Sequence, residues 1–547
     1  MDDALVALLV KGQGALASGD WADARACFEE ATRREHTGET LDGLAQALFG
    51  QGDYAAAIDS AELAFAAFHE AGNEVRAAVC ARFIGYLYAV VHGNHAAASG
   101  WMGRAIRLIE AAGDCPERAR IELTRAVIST EPAARDRHLA AAVEIAQRYG
   151  DTDLVLDATS QQGLHLVAAG EVDAGMALLD ESLAAVAAGE VRDLVSVGAM
   201  YCKMLHACEL TFDVRRAEDW LALADRFVQR TNRIPISAIC RTHYGGVLTA
   251  AGRWQDAERE LAAALELYDR TYRALRGAAV VRLAALRVRQ GRLAEAAELL
   301  TDAEHDRYAI RPRIELHLAR SEPDLAVSRI ERFFRAGAAP ELTAPLLMLL
   351  VTAQLALGDT RAARAAATQL RDLTGARRQL LLTALANHAG GLVAHAEQEP
   401  TVAAGQLESA LTAFARLGLP LEEARARLDL ARVLAPAQPA MALVEVRAAL
   451  ERFQQLPAAR DADAATSLLR QLGVHGHTGP RGTGTLTARE QEVLELLGQG
   501  MSNPDIATRL YVSRRTAEHH VSNILAKLGL TCRAEAAAFA VRHAPFQ

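Results

Sequence analysis

The 547-residue sequence lacks several features that mark other classes of protein. Its seven cysteines are odd in number and include no Cys-x-x-Cys pair, which argues against a secreted disulfide framework and for a reducing cytoplasm. The P-loop pattern Gly-x-x-x-x-Gly-Lys-Ser/Thr does not occur, so no nucleotide site of that kind is expected. Alternating apolar and polar runs typical of strands are nearly absent, and the expected fold class is therefore all-α.

Long apolar runs are also missing. The longest one, 342–357, contains Pro345 and Gln354 and is shorter than the ~20 residues that a membrane-spanning helix needs. Residues 1–3, Met-Asp-Asp, are acidic where a secretory signal would be basic. We therefore expect a cytoplasmic protein without a membrane segment.

Residues that could form a metal or catalytic centre are few and incomplete. Cys202, His206 and Cys208 lie near each other on a predicted helix, but a zinc site normally needs three or four well-spaced ligands. His475 and His477 lie in a polar loop and are more simply explained as solvated side chains. We found no carboxylate pair or nucleophile–base arrangement, so the sequence predicts no metal, no cofactor and no enzymatic activity.

A repeating pattern occupies residues 1–470. Each copy has a glycine, a polar residue and then an aromatic or aliphatic residue, followed by small residues at helical spacing. The turn glycines are Gly19, Gly52, Gly93, Gly170, Gly252, Gly291 and Gly358, with Thr211 and Gln398 in their place in two weaker copies. This pattern resembles the tetratricopeptide repeat. We expect roughly eleven helix pairs, each in contact mainly with its neighbours, that together form a curved solenoid. We expect this array to act as a sensor or interaction domain.

A second composition begins after the repeats. Residues 471–485 are rich in glycine and polar residues, as in a flexible linker. Residues 486–547 then show a pattern of four short helices. Thr487 and Glu490 have capping-box spacing at the start of the first helix, and Ser502 and Asp505 have it at the start of the second. The fourth helix, roughly 533–543, could pack against the first helix or against a second subunit.

The third of these helices, 513–528, has two different faces. Ala517, Val521 and Ile524 recur at helical spacing and form an apolar stripe. The opposite face carries hydrogen-bonding and small side chains, which suit the major groove of DNA. Because only residues 511 and 512 separate it from the second helix, the two helices should cross steeply, as in a helix-turn-helix.

Residues 486–537 resemble the DNA-binding domain of LuxR-type bacterial transcription regulators. The matching pattern includes Leu486-Thr487-x-Arg489-Glu490, Gly500-x-Ser502-Asn503-x-x-Ile506-Ala507, Ser513-x-x-Thr516 and 520–529. The resemblance implies a transcription regulator that binds double-stranded DNA, with RNA polymerase as a further candidate partner. Without a P-loop, we expect the ATPase module of the large LuxR-type regulators to be missing here.

The residues expected to contact DNA lie in or just after the helix-turn-helix, Ser502 to Val521. They are Arg514, Arg515, Thr516, Glu518, His519, Ser522, Asn523 and Lys527. We assign base contacts to Arg515 and His519, and phosphate contacts to Thr516 and Lys527.

Charge limits how strongly this tail can bind. From Arg481 onward it has eight Lys/Arg and six Asp/Glu residues, a net charge of only +2, and phosphate neutralisation supplies much of DNA affinity. A dimer on paired half-sites is therefore expected. The weak charge also leaves an alternative open, in which the protein is an interaction scaffold and the tail serves only for dimerisation.

Overall fold

All regular secondary structure in the described part of the chain is helical. The computed structural model describes residues 3–129, 131–303, 306–337, 340–376, 379–474, 486, 488–510, 512–528, 530 and 532–543. No strand occurs within these ranges. The chain divides into two compact units, Met1–Ala465 and Thr466–Gln547. The predicted all-α fold class, with a tetratricopeptide-like solenoid ahead of a four-helix domain, is confirmed.

Antiparallel helix pairs form the repeat array. The first twelve helices are α1 (Asp3–Ser18), α2 (Trp21–Arg34), α3 (Gly38–Gln51), α4 (Tyr54–Glu70), α5 (Glu74–Leu87), α6 (His95–Ala112), α7 (Glu117–Ile128), α8 (Pro132–Tyr149), α9 (Thr152–Ala169), α10 (Val172–Ala188), α11 (Leu194–Thr211) and α12 (Val214–Thr231). The next thirteen are α13 (Ile234–Ala250), α14 (Trp254–Asp269), α15 (Arg276–Gln290), α16 (Leu293–Asp302), α17 (Ile310–Ala319), α18 (Pro323–Arg335), α19 (Pro340–Ala356), α20 (Thr360–Ala376), α21 (Leu380–Ala396), α22 (Pro400–Arg416), α23 (Pro420–Leu434), α24 (Pro439–Gln455) and α25 (Ala459–Gln471). These described helices make twelve pairs and one further helix, against roughly eleven pairs expected.

The turn between paired helices follows the repeat pattern. Gly52 ends α3 in the left-handed conformation, at φ +85°, and Asp53 then caps α4 by accepting a hydrogen bond from the backbone of Ala56. Where glycine is replaced, Gln398 adopts the same backbone region at φ +61°. The assignment of Thr211 to this position was wrong by one residue, because the left-handed residue there is Phe212.

One stretch of the array, Glu74–His92, is long and apolar enough to resemble a membrane span. Its helix α5 continues into a single π-helical turn, Tyr88–His92. Residues Cys80 and Ile84 of α5 are buried in a cluster with Phe65 of α4 and Met102 of α6. The apolar character of this stretch is therefore explained by packing between neighbouring repeats.

The array also returns on itself, so repeats about 200 residues apart touch. The indole Nε1 of Trp21 donates a buried hydrogen bond to the carbonyl oxygen of Thr231, at 2.7 Å. The rings of Phe49 and Tyr272 stack with centroids 6.5 Å apart. These contacts add to the neighbour contacts that the repeat pattern predicted.

The second unit contains four further helices: α26 (Ala488–Gly498), α27 (Asn503–Arg509), α28 (Arg514–Leu528) and α29 (Arg533–His543). Their bounds lie within a few residues of those predicted. Of the predicted linker 471–485, only 471–474 are described, and the predicted cap Thr487 also lies outside the described residues.

Candidate nucleic-acid interface

A tight turn and a capping box set the start of α27. Gly500 adopts φ +80°, which allows the chain to leave α26 abruptly. The backbone N–H of Ser502 donates to Oδ2 of Asp505 at 3.1 Å, and the backbone N–H of Asp505 donates to Oγ of Ser502 at 3.4 Å. Hydrogen bonds from Ser502 lower the pKa of Asp505, which keeps its carboxylate ionised at the helix N-terminus.

The start of α28 is capped in the same way. The Oγ of Ser513 accepts a hydrogen bond from the backbone N–H of Thr516 at 3.1 Å. Just before it, the backbone N–H of Val512 donates to the carbonyl oxygen of Ala507 at 3.0 Å. The connection from α27 to α28 is therefore short and hydrogen-bonded, so the direction of α28 follows from that of α27.

The apolar face of α28 is buried as predicted. Ala517 and Ile524 are fully buried and Val521 nearly so, in a cluster with Val493 of α26 and Ile506 of α27. This packing fixes the rotation of α28 about its own axis. The face opposite these residues must then point away from the core of the domain.

Several of the predicted DNA-contacting residues lie on that outer face. Thr516, His519 and Ser522 are exposed, and Glu518 and Asn523 are partly exposed. Arg515 and Lys527 belong to α28 by position, but their side chains lie outside the described residues.

Three of the predicted DNA-contacting residues, Arg514, Glu518 and Ser522, already have partners within α28. The Oγ of Ser522 donates to the carbonyl oxygen of Glu518 at 3.0 Å. The Nε of Arg514 lies 2.9 Å from Oε1 of Glu518, with side-chain exposures of 72% and 46%. An ion pair this exposed contributes little to stability in water. Arg514 can therefore leave the carboxylate of Glu518 and bind a phosphate instead.

Arg533, at the start of α29, connects distant parts of the domain. Its guanidinium donates to Oδ1 of Asn503 at 2.6 Å and also to the carbonyl oxygen of Met501. The LuxR-type pattern includes both Asn503 and Arg533, but it does not indicate that the two residues are in contact. The contact holds α29 against the turn that begins the helix-turn-helix.

Helix α29 packs against α26 within the same domain. Ala536 is fully buried, and a Cβ placed on Gly498 would lie 2.8 Å from Cβ of Ala540. The sequence left open whether this helix packs on α26 or on a second subunit. The structure places at least one of its faces on α26.

The cysteine–histidine group noted in the sequence is spread over different environments. Cys208 is fully buried, and the ring of His206 stacks on His243 with centroids 4.6 Å apart. Burial lowers the pKa of His206 to about 3, with a further contribution from His243. In the part of the chain that the structure describes, no three His, Cys, Asp or Glu residues are placed to hold a metal. His475 and His477 lie outside that part.

Residues 484–540 match the family of bacterial regulatory proteins, luxR family. The second unit carries a luxR-family helix-turn-helix domain. Over 58 residues the chain is 48% identical to the transcriptional regulatory protein LnrK of Bacillus subtilis, covering 11% of this chain and 26% of LnrK. Over 55 residues it is 44% identical to the DNA-binding transcriptional activator DevR/DosR of Mycobacterium tuberculosis, covering 10% and 25%.

The present chain thus spans about a quarter of the length of these luxR-family relatives. Among solved structures, it is similar to the APC/C hetero-tetramer Cut9–Hcn1. The TM-score is 0.45 with 14% identity, over 86% of this chain and 96% of that chain.

Proposed function

We propose that the protein is a sequence-specific transcription regulator that binds double-stranded DNA through α28. The observation that carries this proposal is the division of α28 into a buried apolar face and an outer face of polar side chains. A helix of this kind fits the major groove, where donors and acceptors distinguish all four base pairs. In this assignment Arg515 and His519 contact bases, Ser522 and Asn523 adjust to them, and Thr516 and Lys527 hold phosphates.

Two luxR-family domains act together in this proposal. The tail carries a net charge of +2, and two of its cations already have partners, since Arg514 pairs with Glu518 and Arg533 binds within the domain. Few charges remain to neutralise phosphates, so one domain alone binds weakly. A homodimer on half-sites about one helical turn apart, roughly 34–36 Å, doubles the number of contacts.

The repeat array is the signal-receiving part in this proposal. Its helices present a long surface to a protein or small-molecule effector, as solenoids commonly do. Effector binding would control whether two α28 helices reach DNA together, and RNA polymerase would be contacted at the promoter. The proposed place of action is the cytoplasm.

Selection of binding sites by the full-length protein tests this function. Duplexes recovered from a randomised pool should share a two-part motif, and affinity for them should fall steeply as salt rises. With six to ten phosphates contacted, the loss between 50 and 200 mM salt should be about 10³- to 10⁵-fold. A shuffled duplex of the same composition is the control.

The same measurement separates the regulator from a scaffold that uses its tail only for dimerisation. The charged pair Arg514–Glu518 is the feature that favours the scaffold, because it cancels a cation on the outer face. A scaffold should show no salt-sensitive affinity for any duplex. A regulator shows it, and prefers the selected sequences.

A further inference from the structure

Two cysteines from successive repeats meet inside the array. The Sγ atoms of Cys202 on α11 and Cys240 on α13 lie 3.9 Å apart. The sequence places Cys202 near His206 on its own helix and does not indicate a partner across the repeat boundary. The two thiols are in van der Waals contact, and a bond between them requires the sulfurs to approach to about 2.05 Å.

The packing of α11 and α13 brings their backbones close on both sides of this pair. One helical turn before the cysteines, a Cβ on Gly198 would lie 2.7 Å from the side chain of Ile236. Beyond them, a Cβ on Gly246 would overlap the carboxylate of Glu209. Glycine at both positions lets the helices approach more closely than larger residues would allow.

Polar contacts hold the same helix pair in a fixed register. Glu209 of α11 accepts a hydrogen bond from Nδ1 of His243 on α13 at 2.7 Å. It also accepts two from Arg282 on α15, both at 2.7 Å. Close packing on both sides of the cysteines and the charged hydrogen bonds of Glu209 hold α11 against α13. The two sulfurs therefore stay together as the protein fluctuates.

We propose that Cys202 and Cys240 form a modification site, a reversible disulfide that joins two successive repeats on exposure to a hydroperoxide. This inference is independent of the DNA-binding function. It needs only the geometry of α11 and α13 and an oxidant of that chemical class.

The two thiols play different parts in the reaction. Cys202 is partly exposed and Cys240 is buried, so the hydroperoxide reaches the sulfur of Cys202 first. That sulfur attacks the O–O bond, becomes a sulfenic acid and releases water or an alcohol. The contact with Cys202, together with burial, raises the pKa of the Cys240 thiol well above its usual range, so Cys240 is a poor first nucleophile.

In the second step the sulfur of Cys240 attacks the sulfenic sulfur. The S–O bond breaks, the S–S bond forms, and the thiol proton leaves with the hydroxyl group as water. With hydrogen peroxide, two thiols and one peroxide give one disulfide and two waters, so atoms and electrons balance. A dithiol reductant reverses the modification by thiol–disulfide exchange.

Peptide mapping of the oxidised full-length protein tests the site. A Cys532→Ser background removes the exposed cysteine and with it most cross-linking between molecules. After one equivalent of hydrogen peroxide, the peptides containing Cys202 and Cys240 should appear joined, two hydrogen atoms lighter than their sum, and a dithiol should separate them. Cys202→Ser should abolish the joined peptide, and Cys208→Ser, on the same helix, should preserve it.

Two results would overturn the proposal. One is oxidation of Cys202 to a sulfenic acid that persists while Cys240 remains a thiol, which would show that the sulfurs cannot meet. The other is a cross-link accompanied by faster amide hydrogen exchange in α11 and α13, which would show that bridging occurs only in unfolded repeats. Slower exchange in both helices is the supporting result. Both outcomes are read from the Cys532→Ser background alone, so they do not depend on whether Cys202→Ser or Cys208→Ser folds.

Discussion

Single side chains decide how firmly the recognition helix is presented. Arg533 makes two hydrogen bonds that link α29 to the turn before α27. Asn503 and Met501, which accept them, lie about 30 residues away along the chain. Sequence periodicity does not predict a contact between residues this far apart. The role of Arg533 therefore could not be inferred from the sequence.

Substitution of Arg533 tests whether these two hydrogen bonds stabilise the C-terminal domain. Arg533→Ala should destabilise the C-terminal domain by about 1.5–3 kcal/mol, because charged hydrogen bonds to Asn503 and Met501 are lost. Amide exchange in α27 and α29 of the full-length protein should accelerate accordingly. Arg509→Ala, which removes an exposed arginine of α27, is the control, and equal acceleration in both variants would contradict the assignment.

A partly buried histidine in the array, His206, should make stability depend on pH. The pKa of His206 is lowered to about 3 in the folded protein, whereas an unfolded histidine titrates near 6.5. Between these values the unfolded chain binds the additional proton, so stability falls as pH falls from about 6.5 toward 3. At pH 5 the loss from this one residue should be about 2 kcal/mol relative to pH 8.

Thermal unfolding at pH 8 and pH 5 checks this expectation. His206→Gln should show a smaller decrease in melting temperature between the two pH values than the parent does. His36→Gln removes an exposed histidine and should leave the parent's decrease unchanged. An unaltered decrease in His206→Gln would show that this ring is not protonated on unfolding.

At the scale of helices, the local pattern predicted much of the structure. The glycine–polar–aromatic pattern placed the repeat turns, the Ser502 cap placed the start of α27, and the predicted fourth helix coincides with α29, Arg533–His543. These features depend on residues within a few positions of each other. The prediction of Thr211 in place of Phe212 shows the limit, since a bulky residue in the left-handed region has no compositional signal.

Two glycines within helices should respond oppositely to the same substitution. Gly246→Ala should destabilise the array by about 1–3 kcal/mol, because the added Cβ meets the carboxylate that His243 and Arg282 hold in place. Gly405→Ala, on α22 where nothing lies within 4 Å of the new Cβ, should stabilise it by about 0.5–1 kcal/mol. Denaturant unfolding of both variants measures the sign of the change in the free energy of unfolding. Changes of the same sign in the two variants would contradict the close approach of α11 and α13.

At the scale of the whole array, contacts between distant repeats should make its folding more cooperative than contacts between neighbouring repeats alone would. Trp21 bonds to Thr231, 210 residues away, and Arg289 pairs with Glu422 at 3.2 Å. The repeat pattern could predict contacts between adjacent units only. It gave no information on which units meet after the array has curved.

A pair of tryptophan variants tests this long-range coupling. Trp21→Ala should accelerate amide exchange in α2 and also around Thr231, where its hydrogen bond is lost. Trp101→Ala should accelerate exchange only within α4 to α6, because its ring contacts Phe65 and Arg104 of those helices. Unchanged exchange around Thr231 in Trp21→Ala would show that the distant contact carries no stability.

The proposed function depends most on α28 reading sequence in the major groove of DNA. The direct measurement compares Arg515→Ala and Lys527→Ala on the selected duplex and on its single-base variants. Arg515→Ala should lose about 1–3 kcal/mol and become indifferent to one base pair, whereas Lys527→Ala should weaken all duplexes alike and lower the salt slope by about one. Equal loss on every duplex for Arg515→Ala would contradict the base-reading role of this helix.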